Sequence, residues 1–208
     1  MRLFVLVLIA TCSLVGSLIA GPMALAQDSR RPATGRGEAR QPAPREASRA
    51  VTMDSLFERL AKAENEREAQ GISNLIERRW ARSGSDTADL LLNRASEAVE
   101  KKNLDLAIEL LDRVTTLQPN WASAWYTRAT VFYQLDDPVA AMADLNRALK
   151  LEPRHYAAWA GLGQIFLAAD DKARALQAFR QALKINPQIP SLPPIVDKLG
   201  HEIDGVDL

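Results

Sequence analysis

Few side chains in this sequence could do covalent or metal chemistry. Cys12 is the single cysteine, and His155 and His201 are the two histidines. A thiolate can attack or bind a soft metal, and an imidazole can hold zinc or relay protons, but each needs partners at a fixed spacing. The histidines have no H-E-x-x-H spacing and no third ligand beside them. His155, next to Arg154 in a turn, reads as a surface residue. Gly161-x-Gly163 and Gly35-x-Gly37 imitate half of a phosphate loop, yet the first lies inside a helical pattern with no strand before it and the second in a polar stretch. The carboxylates are scattered over polar helix faces. No catalytic residue, cofactor or metal is assigned, and an enzyme is not expected. The chemistry on offer is recognition: Tyr126 and Tyr133 stand seven residues apart, two turns along one helix face, as rigid amphipathic anchors of the kind enriched at binding hot spots.

The N-terminus has to be set aside before the elements that carry those tyrosines are sought. Met1-Arg2 is a short basic start, Leu3 to Ile19 is largely apolar, Gly21-Pro22 breaks the run, and Ala24-Leu25-Ala26 offers small residues for cleavage before Gln27. Residues 1–26 therefore read as a secretory signal peptide, which places the chain in the periplasm or outside the cell. The apolar run is also near the length of a membrane span, so an uncleaved anchor is the alternative. Cleavage would remove Cys12 and with it any thiol chemistry. Residues 27–50 hold six arginines (Arg30, Arg31, Arg36, Arg40, Arg45 and Arg49), three prolines and no large apolar side chain. Such a stretch cannot bury enough surface to offset its ordering entropy, so it reads as a disordered basic linker, open to weak contact with an anionic envelope surface. Over the whole chain 26 basic residues balance 26 acidic ones, and no net field draws nucleic acid.

Beyond residue 87 the chain repeats. Pro119, Pro153 and Pro187 are spaced by 34 residues, each following an aliphatic residue that closes a helix (Leu117, Leu151, Ile185). Counting back gives units 88–121, 122–155 and 156–189. The last carries Trp159, Leu162, Gly163, Phe166, Ala175, Phe179, Ala182 and Pro187, the middle one Trp125, Phe132, Ala141 and Pro153. Small residues (Ala95, Ala129, Gly163) recur opposite others (Ala107, Ala141, Ala175) so that paired helices can approach, while large ones fill the gaps between pairs. Asn103, Asp137 and Asp171 are placed to cap second helices. Arg94 and Arg128 stand where the third unit has Leu162, and read as long stems lying over the core with their charges in water. On these residues about half of the chain resembles the tetratricopeptide repeat family, W-x2-L-G-x2-Y followed by A-x3-F, A and P.

The resemblance implies an all-α, right-handed solenoid of helix pairs whose first helices line a groove. The facing positions it implies are Leu92, Ser96 and Val99, then Tyr126, Thr130 and Tyr133, then Ala160, Gln164 and Leu167. Family members that grip a C-terminal carboxylate use Lys, Arg and Asn on this wall, and the matching places here carry Leu92, Ser96, Thr127, Ala157 and Gly161, so that clamp is not expected. Residues 51–87 read as a degenerate helix pair at the array's start, Asp54 to Gly71 and Ile72 to Ser83, with Ile72, Leu75, Ile76 and Trp80 on one face. Residues 190–208 read as a capping helix starting at Pro193-Pro194 and a tail. The function expected is binding of a protein or peptide. Two questions stay open: whether the groove is free or covered by the N-terminal pair, and whether the chain instead self-associates as an envelope scaffold, its oligomeric state being unassigned.

Overall fold

The computed structural model describes residues 51–204, and all their regular structure is helical. The signal peptide expected over 1–26 and the linker expected over 27–50 lie outside the described residues. Three antiparallel pairs make the array: α3 (Asp86–Glu100) with α4 (Leu104–Leu117), α5 (Ala122–Gln134) with α6 (Pro138–Leu151), and α7 (Tyr156–Ala168) with α8 (Lys172–Ile185). Before them come α1 (Met53–Ala61) and α2 (Glu66–Trp80), and after them α9 (Pro193–Asp204).

The period governs the caps. Each second helix starts under a side chain that accepts from an amide three residues on: Asn103 from Leu106, Asp137 from Ala140, and Asp171 from Arg174. Satisfying one orphan amide in this way contributes about 1 kcal/mol. Each first helix ends in a residue of left-handed backbone, Lys102 (φ 58°), Asp136 (φ 62°) and Asp170 (φ 57°), again one period apart. That turn lets the next amide reach back five residues, as from Asn103 to the carbonyl of Ala98 and from Asp137 to that of Phe132.

The core is built from the repeat positions. Ala95, Ala107, Leu111 and Val114 are buried in the first unit, Ala129, Ala141, Leu145 and Ala148 in the second, and Leu162, Gly163, Ala175, Phe179 and Ala182 in the third. Gly163 has a steric reason. A Cβ at this position would overlap the edge of the fully buried Phe179 ring. The other signature residues lie at the edge of the core, where Phe132, Trp159 and Phe166 pack against its buried clusters. Trp125, Phe132, Trp159 and Phe166 are half-buried, and Pro153 and Pro187 are exposed, because the prolines act as helix stops and not as filling. Two of the tryptophans also brace the turns: Trp125 Nε1 donates to the carbonyl of Pro119 at 2.9 Å, and Trp159 Nε1 to that of Pro153 at 3.0 Å.

Arg128 departs from the expected snorkelling stem. Its side chain is 16% exposed and forms a two-pronged bond to the buried Asp144, Nε to Oδ2 at 2.7 Å and Nη2 to Oδ1 at 2.9 Å. Nη1 reaches Asp112 at 2.7 Å and Thr115 at 3.1 Å, and the guanidinium lies 4.8 Å from the Trp125 ring centroid. One side chain thus ties α4, α5 and α6 together. At the same two positions the third unit has Leu162 and Ala178, both buried. Arg94, in the first unit, is exposed as expected.

The first helix pair breaks at a different place from the expected one. The division falls at Lys62–Asn65 and not at Gly71-Ile72, because Asn65 accepts from the Glu68 amide at 3.0 Å and Glu68 reaches back to the Glu64 amide at 3.1 Å. This reciprocal cap starts a helix more firmly than Gly71 can end one. At the other end α9 lies along α8, with Leu192 and Leu199 buried against Leu176 and Phe179 and with Ile195 half-buried beside them.

Candidate partner-binding wall

Helices α3, α5 and α7 present three equivalent rows, and the rows differ in how far they are covered. The row of Leu92, Tyr126 and Ala160 is the least free. Leu92 is buried in the first unit's core, which corrects its reading as a groove residue: it points among Ala88, Ala95 and Leu111. Ala160 is half-buried against the α8–α9 cluster. The ring of Tyr126 lies 4.5 Å from that of His155. Its burial, and then the nearby charge of Glu77, push its phenol up to about 12. The next row is half open: Ser96 and Thr130 are half-buried, with their hydroxyls bonded back to the carbonyls of Leu92 and Thr127, and Gln164 is exposed. The outermost row has Val99 and Leu167 half-buried on either side of Tyr133, which is 40% exposed.

What covers the first row is the chain itself. Helices α1 and α2 do not stack on α3 as one more repeat would. They lie across the turns that join the later repeats, where Trp121, His155 and Ile189 recur one period apart. Trp80, at the end of α2, stacks on His155 with ring centroids 4.4 Å apart and planes within 11°. Its carbonyl accepts from Trp121 Nε1 at 2.6 Å and from Ser123 Oγ at 2.9 Å. Tyr156 donates its hydroxyl to Glu77 at 2.9 Å, Gln188 donates to the carbonyl of Ala63 at 3.1 Å, and Arg154 pairs with Asp54 at 2.7 Å while lying over Phe57. Leu56, Phe57, Leu60, Ile72 and Ile76 fill the space between, against Tyr156, Ile185 and Ile189.

His155 is therefore no surface residue. It is 3% exposed, caps α7 by accepting from the Ala158 amide at its Nδ1, and is held between Trp80 and Tyr126. Burial is the main cause that drives its pKa down to about 4, against the opposing pull of Glu152. Burial also raises the phenol of Tyr156, with Glu77 adding to the shift. These are the groups that sequence reasoning missed. The signal was present in the recurrence of a bulky residue at the last place of every unit, which nothing within a single repeat needs.

Among the described residues no three His, Cys, Asp or Glu side chains are grouped as metal ligands, and no helix is long and apolar enough to cross a membrane. What the wall offers is an apolar and aromatic strip carrying neutral hydrogen-bonding groups at Thr130, Tyr133 and Gln164.

Comparison with known proteins agrees with the helix-pair geometry. A tetratricopeptide repeat family model matches residues 92–150 and 126–190. A TPR repeat-containing protein of Rhizobium etli is 33% identical over 93 residues, covering 45% of this chain and 46% of that protein, so the chain matches less than half of that relative's length. Among solved structures, the first TPR of Spaghetti (RPAP3) bound to an HSP90 peptide has a TM-score of 0.55 at 18% identity, covering 58% of this chain and 95% of that one. The Sgt2 TPR domain from Aspergillus fumigatus gives 0.54 at 18% identity, covering 59% and 83%. The Arabidopsis OM64 TPR domain gives 0.54 at 19%, covering 56% and 97%. At these identities the likeness is one of fold.

Proposed function

We propose that this tetratricopeptide-repeat protein, whose matched repeats span residues 92–190, is a protein-interaction scaffold that holds a peptide or helix of a partner on the outer rows of its wall. The observation that carries this reading is Tyr133. A tyrosine standing 40% exposed between half-buried Val99 and Leu167 is a large apolar surface with a polar tip and a rigid base, the composition of a binding anchor. A solved relative in fold was captured with an HSP90 peptide, which supports a peptide as the class of partner. This wall lacks the cations at the places that would hold a terminal carboxylate, so the peptide is engaged through apolar side chains and its backbone. Because α1 and α2 occupy the inner end, the partner lies along the row of Val99, Tyr133 and Leu167. The envelope is the place of work, with residues 1–26 removed on export, on the strength of the apolar run, the Gly21-Pro22 break and the small residues before Gln27.

Selection of binders from a displayed library of random peptides tests the wall. The wild-type chain should enrich apolar sequences, and Tyr133→Ala should weaken the selected peptides by about tenfold or more at unchanged helicity, the loss typical of a hot-spot residue. Tyr126→Ala, whose ring serves the packing beneath α2, should lower stability instead. Enrichment of no peptide, or binding indifferent to Tyr133→Ala, rejects the wall. N-terminal sequencing of protein recovered from its host tests export separately: a chain beginning at Gln27 is expected, and one beginning at Met1 rejects cleavage.

A further inference from the structure

The array is closed at one end and open at the other. In the second and third units, Ala124 and Ala158 are fully buried against the preceding pair. The matching residue of the first unit is Leu90, and it is 50% exposed because α1 and α2, which could have stacked there, lie across the later turns. Leu106 and Leu117 on α4 are likewise exposed, with half-buried Leu110 between them on the same stripe. A leucine at place 90 is also too large for the close approach that Ala124 and Ala158 make, so what docks here packs at a wider spacing than another repeat would.

We infer that this leucine face is an interface between two copies of the chain, joined about a twofold axis with the first repeat of one against the first repeat of the other. Three observations select a second copy. The far end is covered by α9, so stacking of unlike ends is blocked, and a face that must meet its own kind gives a closed pair and not a filament. With residues 1–26 removed as proposed above, the segment 27–50 that precedes the helices contains no Val, Ile, Leu, Met or aromatic residue, so it cannot fill a leucine face. The charges flanking the leucines carry both signs, with Glu109 and Arg113 on α4 and Arg94 and Glu97 on α3, a mixture that faces its own copy without net repulsion. The face lies on α3 and α4, away from the outer row of the wall at Tyr133, so the pair would carry two walls.

Sedimentation velocity of the purified mature chain, beginning at Gln27, over a wide concentration range tests this. Wild type should show a monomer–dimer equilibrium. Leu90→Glu with Leu117→Glu should weaken it roughly a hundredfold, since two interface anchors are replaced by charges. Both sites are half exposed, so helicity by circular dichroism should be unchanged, and Leu106→Lys provides a second, independent disruption if the double variant fails to fold. Val139→Glu, at an exposed site on α6, should leave the dimer intact. A wild type that stays monomeric throughout, or a dimer of undiminished strength in both face variants, overturns the inference.

Discussion

The ion pair of Arg128 with Asp144 sets up a double-mutant cycle whose outcome follows from the next repeat. Asp144 is 7% exposed and Arg128 16%, and the two share a pair of parallel hydrogen bonds. Asp144→Ala alone strands a guanidinium that keeps Asp112, an exposed carboxylate, as its remaining anionic partner. Stranding a fully buried partner costs about 3–5 kcal/mol, and the surviving contact with Asp112 brings the expected loss down to about 2–4 kcal/mol. Arg128→Leu alone leaves a buried carboxylate and should cost about the same. The double change Arg128→Leu with Asp144→Ala recreates the Leu162 and Ala178 pair that the third repeat already packs, and should fall within about 1 kcal/mol of wild type, as replacement of buried ion pairs by apolar residues usually does. The coupling between the two sites should then be about 3 kcal/mol or larger, read from urea titrations followed by circular dichroism. Asp112→Ala is the control, expected within about 1 kcal/mol of wild type for an exposed pair. Additive single changes would refute the claim that the pair acts as a unit filling an apolar place.

Two further outcomes follow from the packing. Gly163→Ala gains about 1 kcal/mol of helix propensity but drives its Cβ into Phe179, and overpacking of about 2–3 kcal/mol should win, giving a net loss near 1–2 kcal/mol in the urea midpoint; a stabilised variant would show that the Phe179 ring can yield. His155 is pushed down to about 4 in the folded chain from an ordinary 6.5, so the unfolded chain binds the extra proton between those values, and stability that is full above pH 6.5 is lost as pH falls toward 4. The total is about 3 kcal/mol at 1.36 kcal/mol per pH unit, and a His155→Phe variant should lose that much less over the same range; parallel pH profiles for the two proteins would refute the burial of a neutral imidazole.

The array was legible in the sequence because its signals are local and recur. Prolines at a 34-residue spacing, caps at Asn103, Asp137 and Asp171, and small residues at each crossing act within one unit or between neighbours, where the period makes them visible. The start of α2 differs from the expected Ile72 because a helix tolerates one glycine at Gly71 and the reciprocal cap of Asn65 with Glu68 decides the boundary. The role of Arg128 is not legible in its neighbourhood, because its acceptor lies sixteen residues away on another helix and carries no mark of its own. Most of the wall's arrangement was hidden for a related reason. The cover on Tyr126 depends on where α2 docks, and contacts such as Asp54 with Arg154 join residues a hundred places apart in the chain. Periodicity says nothing about a segment that leaves the period.

The return of α1 and α2 across the later turns also fixes an order of events. These helices are synthesised before the array, yet their seat includes Tyr156, Ile185, Gln188 and Ile189, and the bond from Gln188 to Ala63 closes a loop of 125 residues. Loop closure of that span comes late relative to contacts between neighbouring helices, so the repeats assemble first and the pair docks onto a finished surface. Until then Leu56, Phe57, Leu60, Ile72 and Ile76 have no apolar partner outside their own hairpin, and a chain caught midway through synthesis carries this strip into solvent. The last repeat thus does a chaperone's work for the first helices, and a truncation that removes only residues after Lys184 would unmask apolar surface at the opposite terminus of the sequence.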